Sequence, residues 1–120
     1  MDKQKLLFEQ LKFYKDYWVK ASLDGLESNA NLIWSDNEEG YERLRHLLKD
    51  KEDKVAYESI LNELIRGVIH SLLVMIDGVD DLADKFGIDL VIEGTIESLK
   101  DNGALHEEFI GYLFDVEEMI

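Results

Sequence analysis

The chain has 120 residues, 13 of them basic and 27 acidic, which gives a formal net charge of −14. This length fits a single domain over residues 1–120, and an apolar fraction of 46% is too high for a disordered acidic tail. The absence of Cys excludes disulfides, thiolate metal sites and Cys nucleophiles.

The first element is an amphipathic helix from about Lys3 to Ala21, capped by Asp2. Its apolar side chains recur at alternating spacings of four and three, at Leu7, Leu11, Tyr14, Trp18 and Ala21. In residues 22–37, which follow, the apolar side chains show no regular helical or strand spacing. A connection of this length inside one domain is uncommon and often functional.

The sequence Ser35-Asp36-Asn37-Glu38 reads as a capping box, so we predict a second helix that starts near Ser35. A third helix is predicted from about Asp53 to Met75. Apolar residues cover more than half of its circumference, which is typical of a buried helix at the centre of a domain. Asp77-Gly78 ends it, because Gly accepts the left-handed conformation of a helix terminus.

The remaining segments are less regular. Residues 79–86 are predicted as a short helix, and 88–99 as a hairpin, with a helix over 93–100 as the alternative. A last helix runs from Ala104 to about Met119. The predicted fold is therefore mainly α: one compact domain of four or five helices around a central buried helix at about 53–75, with at most one short β-hairpin near 88–99.

Four polar residues fall near one line of the third helix: Glu63, Arg66, His70 and Asp77. We expect His70 to be buried and hydrogen-bonded, with Asp77 or Glu63 as its partner, because a buried imidazole needs one. One interpretation of this stripe is a small-ligand or acid–base site. The other is a core histidine beside a structural ion pair, which is the commoner arrangement.

Motifs for other chemistry are missing. His106-Glu107-Glu108 is not His-Glu-x-x-His, and the acidic run from Asp77 to Asp84 does not fit a calcium loop. No glycine-rich phosphate loop and no nucleophile elbow occurs. We therefore expect no metal site and no cofactor, and the sequence favours a non-catalytic protein.

The charge is unevenly distributed. Residues 71–120 carry 13 acids against Lys85 and Lys100, which gives −11, whereas residues 1–70 carry −3. One interpretation is solubility; the other is a docking surface for a basic protein, with no direct binding of nucleic acid. The candidate contacts are Asp80, Asp81, Asp84, Glu107, Glu108, Glu117 and Glu118. Tyr112 is the candidate aromatic anchor, unless it packs in the core with Phe109.

The longest uninterrupted apolar run, from Leu72 to Ile76, has five residues. A membrane span needs roughly 20, so we expect no membrane partner. The apolar stretch near the N-terminus is too short for a signal peptide, which makes a cytoplasmic location the expectation. The pattern leaves the oligomeric state open.

Two stretches, Arg66 to Asp84 and Ala104 to Phe109, resemble segments of small acidic bacterial proteins of the immunity type, which neutralise secreted toxins. The strings His-Ser-x-Leu-x-x-x-Asp-Gly and Leu-His-Glu-x-Phe carry the resemblance. It implies a protein-binding inhibitor and transfers no catalytic or binding residue.

Overall fold

A computed structural model describes residues 2–117. Its four α-helices are α1 (Lys3–Asp24), α2 (Glu38–Leu47), α3 (Lys51–Ile76) and α4 (Leu105–Glu117), with one turn of 3-10 helix at Asp81–Asp84. Within the described range no strand occurs. The prediction of a mainly α fold is confirmed.

Contacts divide the chain into two compact units. The terminal unit comprises residues 2–13 and 66–117, and the middle unit comprises residues 14–65. The prediction of a single domain over 1–120 stays a prediction.

The core of the terminal unit forms around α4. Leu105, Phe109 and Leu113 are fully buried at spacings of four, and they pack with Phe8 of α1 and Leu73 of α3. The Phe8 and Phe109 rings lie 5.3 Å apart in a tilted arrangement, which aromatic pairs favour. These side chains hold the start of α4 in a fixed place, and the candidate surface described below lies there.

The core of the middle unit is small, with Val19, Leu26 and Leu32 buried. It also buries a charged side chain: Lys15 donates to Asp16 Oδ1 at 2.9 Å and to Asn62 Oδ1 at 3.1 Å. A buried ammonium needs such partners, because removal from water without them is costly.

The prediction that α3 is mostly buried is wrong. Only Leu73 on α3 is buried, and a ridge at four-residue spacing stays half exposed or more: Ile60, Leu64, Val68 and Leu72. Apolar composition predicts that a helix prefers burial, but the elements available to cover it decide how much is buried. The central placement of this helix stays a prediction.

Element boundaries differ from the sequence expectations at several points. Asn37 caps α2 in place of Ser35, and its side chain accepts from the Gly40 N–H at 3.2 Å. The short helix expected at 79–86 is reduced to the 3-10 turn. One isolated antiparallel bridge, Val91 to Ser98, lies in the 88–99 segment, where the predicted hairpin stays a prediction. The alternative helix over 93–100 is wrong.

By length and composition alone, the stretch Lys51–Asp84 could cross a membrane, with a mean hydropathy of 1.5 in its most apolar part. The count of uninterrupted apolar residues missed this, because polar residues are interspersed along α3. The expectation that the chain has no membrane partner stays a prediction.

Candidate partner-binding surface

Asp77 joins the end of α3 to the start of α4. Its carboxylate accepts the Leu105 N–H at 3.0 Å and the His106 N–H at 2.8 Å, and its Oδ2 lies 2.5 Å from His106 Nδ1. The side chain of Asp77 is 4% exposed. Asp77 is thus a capping residue that lies 28 positions before the helix it caps, and a negative charge there is favourable for a helix N-terminus.

The ionised form of Asp77 is favoured in this setting. Burial acts to raise the pKa of its carboxyl, but hydrogen bonds from His106 and Leu105 and the charge of His106 outweigh burial and lower the pKa. The lowered pKa marks a carboxylate used to stabilise the structure, because its acceptor positions are already taken up by α4.

His70 was expected to form a hydrogen bond with Asp77, but the carboxylate of Asp77 binds Leu105 and His106 instead. Its ring is half buried and meets the His106 ring edge to face, with 5.6 Å between centroids. Its Nδ1 atom is buried with no hydrogen-bond partner among the described residues. His106 pairs with the carboxylate instead, since it offers both a ring nitrogen and a backbone N–H in the first turn of α4.

The predicted stripe is therefore only partly assembled. His70 and Asp77 both contact His106, in the terminal unit, but Glu63 lies on an exposed part of α3 in the middle unit. Arg66 is half buried and belongs to the terminal unit. A cavity of about 470 Å³ lies elsewhere, in the middle unit, and none of these four residues lines it.

Five of the predicted contact carboxylates follow Asp77 or His106 closely in the sequence, and all five are exposed. Asp80, Asp81 and Asp84 surround the 3-10 turn that follows Asp77, and Glu107 and Glu108 occupy the first turn of α4, directly after His106. Because Asp77 binds the N-terminus of α4, it links the segment that carries the first acidic run to the helix turn that carries the second. These five residues are called the acidic face below.

The remaining predicted contacts fall outside the acidic face. Glu117 forms an ion pair with Lys12 at 3.7 Å, and its side chain is 21% exposed. The centroid of the Tyr112 ring lies 6.0 Å from that of Phe8 and 6.5 Å from that of Phe109. Tyr112 therefore packs against the core with Phe109, which was the alternative to a role as partner anchor. Glu118 lies outside the described residues.

Lys100 has a role that the sequence did not suggest. Its ammonium donates to the carbonyls of Ile76 at 3.0 Å and Ile88 at 2.8 Å. Carbonyls at a helix C-terminus lack partners within the helix, and a lysine supplies one here. One of the two bases in the acidic half therefore binds backbone carbonyls of the fold.

Groups of three or more potential metal ligands are absent from residues 2–117. No protein-family model, no curated protein and no solved structure matches the chain.

Proposed function

We propose that the protein is a small, non-catalytic protein-binding domain that docks a basic partner protein on its acidic face. The immunity-type inhibitor implied by the resemblance is one such protein, with a basic toxin as its target. The observation that carries the proposal is the cap formed by Asp77, which holds two exposed acidic runs together on a rigid helix end.

Electrostatics supports this assignment. A surface with clustered carboxylates attracts a basic protein over several ångströms and raises the rate of association. The residues behind the acidic face are ordered by Asp77 and by the core around Leu105 and Phe109, so the carboxylates keep their spacing without a large cost of ordering.

A site along Glu63, Arg66, His70 and Asp77 remains the alternative proposal, as a small-ligand or catalytic site. The placement of Glu63 on the middle unit and the use of Asp77 as a helix cap favour the acidic face instead.

The test is a partner screen with two matched variants. The wild-type protein is immobilised and exposed to extract of the source cells at low and at high salt. The face variant is D80N/D81N/D84N/E107Q/E108Q. The control variant neutralises five exposed acids of the middle unit, as E38Q/E39Q/E42Q/E52Q/D53N.

We expect a basic protein that binds the wild type and the control variant at low salt, and that the face variant fails to retain. Because exposed charges are screened by salt, retention should weaken as salt increases. A partner that binds the face variant as well as the wild type, or one that is lost only with the control variant, would contradict the proposal.

A further inference from the structure

A cavity of about 470 Å³ opens in the middle unit, between the last two turns of α1 and the segment that follows α1. This volume lies within the range of small-molecule sites, roughly 300–1,000 Å³. Its lining includes Ala21 and Ala30, whose small side chains take up little of the space. The long connection over residues 22–37, whose length is typical of a functional segment, supplies part of the lining.

Two aromatic residues, Tyr17 and Trp34, are part of the lining of this cavity. Trp34 is 46% exposed and Tyr17 is 53% exposed, so ring surface remains available to a ligand. Trp34 packs against Trp18 and Tyr41, whose ring centroids lie 5.8 and 5.6 Å away in edge-to-face contacts. A ring fixed in this way offers its surface without losing further side-chain freedom on binding.

The segment over the cavity is fixed by several contacts. Arg45 of α2 donates from Nε to the Leu26 carbonyl at 3.0 Å and from Nη2 to the Gly25 carbonyl at 3.2 Å. Leu26 and Leu32 are buried. These contacts fix the segment that lines the cavity, and small-molecule sites are usually built on such pre-formed surfaces.

The polar rim offers donors and acceptors but little uncompensated charge. Lys20 donates to Asp24 at 2.7 Å, and Glu27 lies 3.9 Å from Lys54. Asn31 accepts the Ile33 N–H through Oδ1, so its amide NH₂ remains a donor. A charged ligand would have to displace an existing ion pair, whereas a ligand with hydroxyl groups can both donate and accept at such a rim.

We propose that this cavity binds a neutral saccharide of one or two pyranose rings. The apolar face of a sugar ring packs on Trp34 and Tyr17, and its hydroxyls bond to the rim carboxylate of Asp24 and to the amide of Asn31. The site is independent of the acidic face, which lies in the other unit.

The test measures binding of defined probes by ligand-observed NMR on the wild-type protein. The probes are the methyl glycosides of glucose, galactose, mannose and N-acetylglucosamine, and cellobiose. Choline and adenosine represent a cationic ligand and a stacking ligand without a pyranose. We expect saturable binding of at least one saccharide below about 50 mM, and none of choline or adenosine in that range.

Two substitutions place the binding in the cavity. Ala21→Leu fills the space and should weaken binding about tenfold or more, while Ala56→Leu makes the same change on an exposed part of α3 and should leave it unchanged. Should Ala21→Leu fail to fold, Asn31→Ala removes one rim donor and should weaken binding about fivefold. Absence of saccharide binding, preference for choline or adenosine, or wild-type affinity in the cavity variant would overturn the proposal.

Discussion

Replacing Asp77 by Asn should destabilise the protein by about 2 kcal/mol. Asn keeps one acceptor oxygen but loses the negative charge. Its amide NH₂ then faces the N–H of either Leu105 or His106, so at least one of these contacts becomes repulsive. Loss of a helix cap costs about 1 kcal/mol. A hydrogen bond to a charged group contributes roughly 1.5–3 kcal/mol, of which Asn retains a part.

Urea unfolding at pH 7, followed by circular dichroism, measures this loss. With a slope of about 2 kcal/mol per molar urea, the midpoint should fall by about 1 M. Asp84→Asn is the matched control, because Asp84 is exposed at the end of the 3-10 turn, and its midpoint should stay within about 0.25 M of the wild type.

The effect should also depend on pH. Because the pKa of Asp77 is lower in the folded protein, the stabilisation is complete above the pKa of the unfolded chain and is lost as pH falls through the lowered pKa. The difference between wild type and Asp77→Asn should therefore shrink as the pH falls below about 5. A variant as stable as the wild type at pH 7, or a difference that grows in acid, would refute this role of Asp77.

Three further changes test the packing by the same unfolding assay. Leu73→Ala should lower the free energy of unfolding by roughly 2–5 kcal/mol, because Leu73 is 4% exposed. Leu72→Ala should lower it by less than half as much, because Leu72 is 50% exposed. Equal losses for the two variants would mean that α3 is covered on both sides. Lys100→Met should cost about 1–3 kcal/mol by leaving two carbonyls without a donor, and an unchanged midpoint would refute that contact. Gly25→Ala should lower the free energy of unfolding by about 1–3 kcal/mol, because the added Cβ would lie 2.6 Å from a Tyr41 ring carbon. An unchanged stability would show that the Tyr41 ring moves away easily.

The helices were predictable from the sequence because their signals are local. Asp2 caps α1 as expected, with the Lys5 N–H donating to its carboxylate at 2.9 Å, and the apolar spacing predicted α1, α3 and α4 close to their observed bounds. The capping-box pattern pointed to Ser35 as the cap of α2, which is wrong: Asn37 caps the helix, and the Ser35 hydroxyl accepts the Asn37 N–H instead.

Contacts between distant segments were not predictable. The sequence singled out His70 and Asp77 through their spacing on one helix, but the carboxylate binds His106, 29 positions away. The burial of α3 was overestimated for a similar reason. A periodic pattern shows which residues prefer burial, whereas the number of packing partners for Val68 or Leu64 is a property of the whole fold.

The central claim, that the acidic face recruits a basic partner, is tested most directly by the association rate of the captured partner as a function of ionic strength. For the wild type, the rate should fall about tenfold or more between low salt and about 0.5 M salt, and the face variant D80N/D81N/D84N/E107Q/E108Q should lose most of this dependence. Equal slopes for the wild type and the face variant would show that these carboxylates serve solubility and do not guide the partner.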